Sequence, residues 1–328
     1  MLLSMFHAFE LGIIYAIMAL GVYLSFRVLD FPDLTVDGSF VTGAAVAGVA
    51  IVSGVPPIIA SMMAALAGFL AGCITGLLHT KGRINALLAG ILMMIALYSI
   101  NLRILGKPTV SLLRESTIFK QLRSIWDKTG IDSMLGSFLH MLGMERVPET
   151  FSIVFVMIVV TLGIKFLTDY FLKTEVGLAL RATGDNQKMI RSLSANTDSL
   201  IIVGIGISNA LVALSGAFVA QHGEFADANM GIGMIIIGLA SVIIGEALFG
   251  TKTIARTTIA VIAGAIIYRM VVAAALRVDF LNTGDMKVIT AVLVIAALVS
   301  PKVLQARRDK KRRMQKRAQL SKEKAKEV

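Results

Sequence analysis

Long apolar stretches alternate with short polar ones along this 328-residue chain. Residues 38–78 contain no Asp, Glu, Lys or Arg, and the run is broken only by Ser53-Gly-Val-Pro-Pro57. A bilayer core takes about 20 apolar residues per helix, so this stretch predicts two membrane helices joined by a tight turn. Segments of the same kind recur near residues 9–29, 37–53, 57–79, 85–104, 150–172, 199–221, 231–250, 254–276 and 286–303. A soluble fold would have to repeat such helices along its whole length without polar faces. The pattern predicts an all-α, polytopic transmembrane helix bundle of eight to ten spans, nine being the best count.

The polar connections orient the bundle. His79-Thr-Lys-Gly-Arg83, the 173–198 stretch and the 252–256 turn are basic, whereas the 53–57 turn is uncharged. Basic connections stay in the cytoplasm. With nine spans, the N-terminus is expected outside and the C-terminus inside. The 105–149 stretch becomes an extracytoplasmic loop. Its six basic residues are offset by five acidic ones, and long loops obey the charge rule weakly. Residues 1–303 read as the transmembrane domain and residues 304–328 as a basic cytoplasmic tail. The first ten residues lack a basic n-region and a small-residue cleavage site, so the first apolar segment is expected to remain as a helix. Small residues recur in Gly43-Ala-Ala-Val-Ala-Gly48, 65–76 and 204–216, which suits close helix packing in lipid.

Composition agrees, and charge needs locating. Hydrophobic residues make up 56% of the chain and charged residues 16%, against roughly 25% charged in soluble domains. The net charge of +11 resides mostly in residues 302–328, which hold twelve Lys/Arg and three Asp/Glu. Such a tail either leans on anionic membrane lipids or is simply solvated. It has no aromatic interleaving, so nucleic acid is not an expected partner.

Catalytic chemistry has little to stand on. Cys73 is the only cysteine and lies in an apolar run, which excludes a disulfide framework or zinc site within the chain. His7, His79, His140 and His222 are scattered, and no HExxH motif occurs. Gly245-Glu-Ala-Leu-Phe-Gly250-Thr-Lys-Thr253 approaches a phosphate-binding loop, but Thr251 separates Gly250 from Lys252. No enzyme activity, cofactor or metal is expected of this chain, and Lys252 reads as an anchor at a helix end.

Polar residues within or beside apolar spans are the default pointers to a pathway. Asp33, Asp37, Asn85, Asn101, Asn209 and Ser215 are the candidates. Each has a structural alternative. The Asp30, Asp33 and Asp37 group suits helix capping at the second span better than a cation site, with Arg27 as the nearby base. The amides and the hydroxyl equally suit hydrogen bonds between helices, with Asn209 and Ser215 the best placed to face a cavity. Glu246 is expected to pair with Lys252, and Arg269 to snorkel.

The 173–198 segment is polar, lies between two spans and reads as two short helical pieces. The first runs from 178 to 183 and is stopped by Gly184 in a left-handed turn. The second, 187–193, is capped by Asp185 or Asn186. A capped helix across the ends of two spans is either a docking element or an ordinary loop.

Gly177-x3-Arg181-Ala182-x-Gly184-Asp185-Asn186, then Asn196-Thr-Asp198 and a Gly/Ala-rich helix, resembles the coupling loop of the branched-chain amino-acid permease family of ABC importers. Phe31-Pro-Asp-Leu-Thr-Val-Asp-Gly-Ser-Phe40 and the 87–103 segment resemble its tryptophan/tyrosine-type branch. The likeness runs from about residue 12 to 302, leaving out most of 114–148. Ser194-Ala195 departs from the family's usual Gly-Ile/Val before Asn196. The resemblance implies a bacterial inner-membrane permease that works with ABC ATPase subunits holding ATP and Mg, an extracytoplasmic substrate-binding protein, and a second permease copy or sister subunit. It implies amino-acid import, with Gly177, Arg181, Ala182, Gly184, Asp185 and Asn186 contacting the ATPase. The alternative is a self-sufficient carrier or channel for a small polar solute, which would need internal repeats or mid-span carboxylates.

Overall fold

The computed structural model describes residues 2–129, 132, 150–193, 195–275 and the single positions 288, 291, 292 and 295. Apart from those four single positions, the expected span at 286–303 lies outside the described residues, as do the basic tail and most of 130–149. Eight of the nine expected spans are helices: α1 (Leu2–Tyr23), α2 (Thr35–Val52), α3 (Pro57–Thr80), α4 (Ala86–Leu105), α6 (Ser152–Lys173), α8 (Thr197–Gly223), α9 (Met234–Phe249) and α10 (Ile254–Ala275). Seven are long and apolar enough to cross a membrane. The exception, α9, has 16 residues, because the chain turns through Gly233 (φ 88°) before the helix can start.

Apolar residues all round a helix call for burial on every side, and α1 shows it. Ile13, Ile14, Ile17, Met18 and Leu20 are at most 1% exposed. By contrast α3, α4 and α6 turn Met62, Leu66, Leu92, Phe166 and Leu167 outward, as lipid-facing helices do. Around α1 stand α8, α9 and α10, with α2 and α3 closing on the other side of α8. Small residues set the closest approaches. A Cβ at Gly43 would overlap the Ala213 carbonyl and one at Gly216 the Phe40 carbonyl, so α2 and α8 meet backbone to backbone. At Gly68 of α3 a Cβ would collide with the Ala213 side chain and stand 2.5 Å from Asn209 O.

Both ends of the bundle carry extra structure. At one end, β1 (Thr109–Ser111) pairs antiparallel with β2 (Phe225–Asp227), and Thr109 Oγ1 donates to Asp227 Oδ2 at 2.5 Å. The helix α5 (Ile118–Trp126) lies against the end of α8, where Ile118 N donates to Gln221 Oε1 at 3.1 Å and Lys120 pairs with Glu224 at 3.2 Å. At the opposite end, α7 (Glu175–Ser192) crosses the tips of α1, α6 and α8. There α1 runs into a π-helical turn, Leu24–Val28, ahead of Pro32, whose ring disfavours helix at the preceding residue.

Candidate functional site

The loop between α1 and α2 does not stay at the surface. Gly90, only four residues into α4, sits against Leu34, whereas Gly38 packs on Met94 and Leu97. At 1.5 Å per residue, that puts Leu34 about 6 Å and Gly38 roughly 12–16 Å along α4. Asp33 and Asp37 therefore lie within the bundle. Asp33 is fully buried; its Oδ1 accepts from Thr35 N at 2.9 Å and its Oδ2 from Asn209 Nδ2 at 2.6 Å. Capping of α2 is thus combined with a tie to α8. Thr35 adds a hydroxyl contact of 2.8 Å to Thr75 of α3.

Asp37 caps a different helix from the expected one. Its Oδ2 accepts from Gly233 N at 3.0 Å and its Oδ1 from Ile235 N at 2.7 Å. These are among the N–H groups that a helix start leaves unsatisfied, and a carboxylate there also favours the helix dipole. The start of α9 is fixed inside the bundle in this way. Asp30 stands apart: it is exposed, with φ of 52°.

Beside Asp37 is a cavity of about 360 Å³ between α2, α4 and the 228–232 segment. Asn101 lines it together with Gly38, Val41, Met94 and Tyr98. Asn101 is 1% exposed; its Nδ2 donates to Gly38 O at 3.1 Å, and its Oδ1 has no partner among the described residues. Two oxygens would repel across that contact, so the amide is oriented with its nitrogen towards Gly38 O.

The other polar candidates are placed elsewhere. Ser215 Oγ donates to Ile14 O at 2.9 Å, joining α8 to α1. Asn209, besides Asp33, donates to Ile205 O at 3.0 Å. Asn85 caps α4, accepting from Leu87 N at 2.9 Å, and lies at the α7 end of the bundle. There it lines a cleft of about 890 Å³ with His79, Lys81, Arg83, Arg191 and Asp198. Glu246 pairs with Arg27, not Lys252: Arg27 Nε is 3.0 Å from both carboxylate oxygens, so the nearest base in space lies on the end of α1. Arg269 stacks over the Tyr15 ring at 4.8 Å.

The α7 helix corrects the expected turn. The break falls at Asn186 (φ −157°, ψ 87°), whose Oδ1 accepts from Met189 N at 3.1 Å. Gly184 is not left-handed. Its missing Cβ lets α7 touch the Val28 carbonyl at the end of α1. The first piece also starts earlier, at Glu175, where Thr174 Oγ1 accepts from Gly177 N at 3.2 Å. Gly177 sits against the Phe171 carbonyl, and Leu180, 1% exposed, packs against Gly204 of α8. Arg181 lines a second cleft with Tyr23, Arg27 and Lys252. Ala182 is half-buried and Asp185 is exposed. Val176, Leu178 and Met189, with Leu193 at the C-cap, are large apolar side chains left 48% to 70% exposed.

Residues 4–298 match the family described as branched-chain amino acid transport system / permease component. The chain belongs to this family. It is a multi-pass permease of the bacterial inner membrane, the membrane component of an ABC importer, and the family implies ATPase and substrate-binding-protein partners. The permease is 42% identical over 289 residues to the tyrosine transport system permease protein of Clostridioides difficile, covering 88% of each chain. It is 25% identical over 312 residues to the ribose import permease protein RbsC of Escherichia coli K12, covering 91% of this chain and 86% of the relative. A solved structure of PsaBC from Streptococcus pneumoniae in complex with Fab aligns at TM-score 0.46 and 14% identity, covering 88% of the permease and 89% of that chain.

Two buried charge groups of the permease escaped the sequence reading. Lys165 and Asp169 of α6 pair at 2.5 Å, both at most 5% exposed, and Thr258 of α10 donates to Asp169 at 2.7 Å. Near the N-terminus of the permease, buried Glu10 is 2.9 Å from His7 Nδ1 and 3.9 Å from His222 Nε2. The i,i+4 spacing of Lys165 and Asp169 within an otherwise apolar span was the available signal.

Proposed function

We propose that this permease forms the translocation pathway for an amino acid and couples it to separate ATPases through α7, whose end of the bundle is cytoplasmic. The observation that carries the reading is that this helix is locked to three spans yet keeps large apolar side chains exposed. Gly177, Leu180 and Gly184 lock it against the tips of α6, α8 and α1, while Val176, Leu178 and Met189, and Leu193 at its C-cap, stay exposed. Exposed apolar side chains on a capped helix at the end of the bundle suit a protein partner. Movement imposed on α7 then reaches α1 and α8 directly. ATP and Mg belong to the partner subunits, and this chain contributes no catalytic group.

The pathway reading rests on Asp33, Asp37, Asn101 and Asn209, with a second permease copy or sister subunit completing the channel. Basic residues Lys81, Arg83 and Arg191 around the α7-end cleft support a cytoplasmic placement. That orientation leaves the N-terminus and the β1–β2 end outside, facing the binding protein. An amino acid, aromatic ones included, is the proposed cargo; the relationship to a tyrosine transport permease supports it. The self-sufficient carrier is disfavoured because Asp33 and Asp37 already hold fixed protein donors.

Deleting residues 178–193 tests the reading. The shortened permease is expected to insert but to lose co-purification with its ATPase and all ATP-driven uptake. Substrate-stimulated ATP hydrolysis at the normal rate in that deletion would sink the proposal.

A further inference from the structure

The cavity beside Asp37 has a one-sided chemistry. Val41, Met94, Ile95, Tyr98 and Ile232 give it apolar walls; Asp37 at its edge already accepts from Gly233 N and Ile235 N, and buried Asn101 has an acceptor unused among the described residues. We infer that this cavity receives the ring of an aromatic amino acid in transit, and that Asn101 Oδ1 accepts a hydrogen bond from a donor on that ring. This rests on the reading of the chain as an amino-acid permease and adds where the side chain is recognised.

Several observations bear on the choice of occupant. About 360 Å³ lies at the small end of the roughly 300–1,000 Å³ typical of ligand pockets and accommodates one ring rather than a large solute. Among the described residues no Lys or Arg lines the cavity, and Asp37 stands at its edge, which disfavours an anionic group. A lipid acyl chain would fill apolar space yet leave Asn101 Oδ1 unpaired, and a buried acceptor without a partner is disfavoured. A phenol O–H or an indole N–H satisfies both the apolar wall and the acceptor. The position also fits. Asp37 pins the start of α9 at the cavity edge, and an interrupted helix start near mid-bundle is where transporters commonly build substrate sites.

A site that hydrogen-bonds a ring donor discriminates against the analogue lacking it. Tyrosine should therefore pass more readily than phenylalanine, and Asn101 should be the reason. The test uses the full permease with its ATPase and binding protein in proteoliposomes, reading initial uptake of labelled L-tyrosine, L-phenylalanine and L-leucine. Asn101→Ala removes the acceptor. Ile232→Trp, at a position 59% exposed, supplies a ring from the cavity mouth without crowding the core.

Wild-type permease is expected to favour tyrosine over phenylalanine. Asn101→Ala should reduce that ratio by about tenfold, and Ile232→Trp should cut tyrosine uptake by about tenfold while ATPase binding is unchanged. For Asn101→Ala the ratio is independent of how much protein folds; for Ile232→Trp, uptake is read per permease that retains its ATPase. Wild-type uptake with an unchanged ratio in both variants overturns the cavity assignment alone. If the wild-type complex moves none of the three amino acids, the amino-acid reading falls and the cavity assignment with it.

Discussion

Helix α2 has two faces that differ in kind. Towards α8 it has no slack: Gly43 and Gly216 bring backbone against backbone, and Gly68 of α3 closes the same seam. Towards α4 it borders the cavity of about 360 Å³, with an unpaired acceptor at Asn101 and a helix start held by one carboxylate. Packed interiors move as units rather than deform. The seam of α2, α3 and α8 is accordingly a fixed body, and the side of α2 facing α4 and the 228–233 segment is where shape can change. A transporter needs both.

The difference can be attacked from either face. The largest effect is expected at Gly43→Leu, which forces a side chain into the Ala213 backbone. Overpacking at a backbone contact should cost more than about 3 kcal/mol and leave no monodisperse protein in size-exclusion chromatography. Asp37→Ala comes next. It removes the acceptor for Gly233 N and Ile235 N, so a loss of about 2–4 kcal/mol is expected, read as a lower melting temperature in detergent. Asn101→Ala should cost least, about 1 kcal/mol, because a single donor to Gly38 O is lost. Gly43→Leu melting like wild type, or Asn101→Ala costing more than Asp37→Ala, would erase the distinction between the faces.

The spans were legible because each is a long apolar run bounded by polar residues, and eight of nine appear where hydropathy put them. The coupling segment was legible in its composition but not in its break. Gly184 looked like a turn glycine, whereas its bare α-carbon serves an approach to Val28 that only the folded chain reveals. Long-range polar pairing was harder still. Asp37 suggested a cap, but the helix it caps begins 196 residues later in the bond to Gly233. The same holds for Asp33 with Asn209, and for the three-residue strands β1 and β2, too short to stand out in sequence. Local pattern reports what a residue type favours. Which helix receives it depends on how the bundle closes.

The most direct test of the two-faced account is a pair of distances measured by double electron–electron resonance in the assembled importer. In a Cys73→Ser background, labels at Ile95 and Ile232 span the cavity mouth, and labels at Leu70 and Val203, both exposed, span the α3–α8 seam. Between the nucleotide-free and ATP-trapped states, the mouth distance is predicted to change while the seam distance stays constant. A seam that moves as much as the mouth, or a mouth that does not move, would contradict the account.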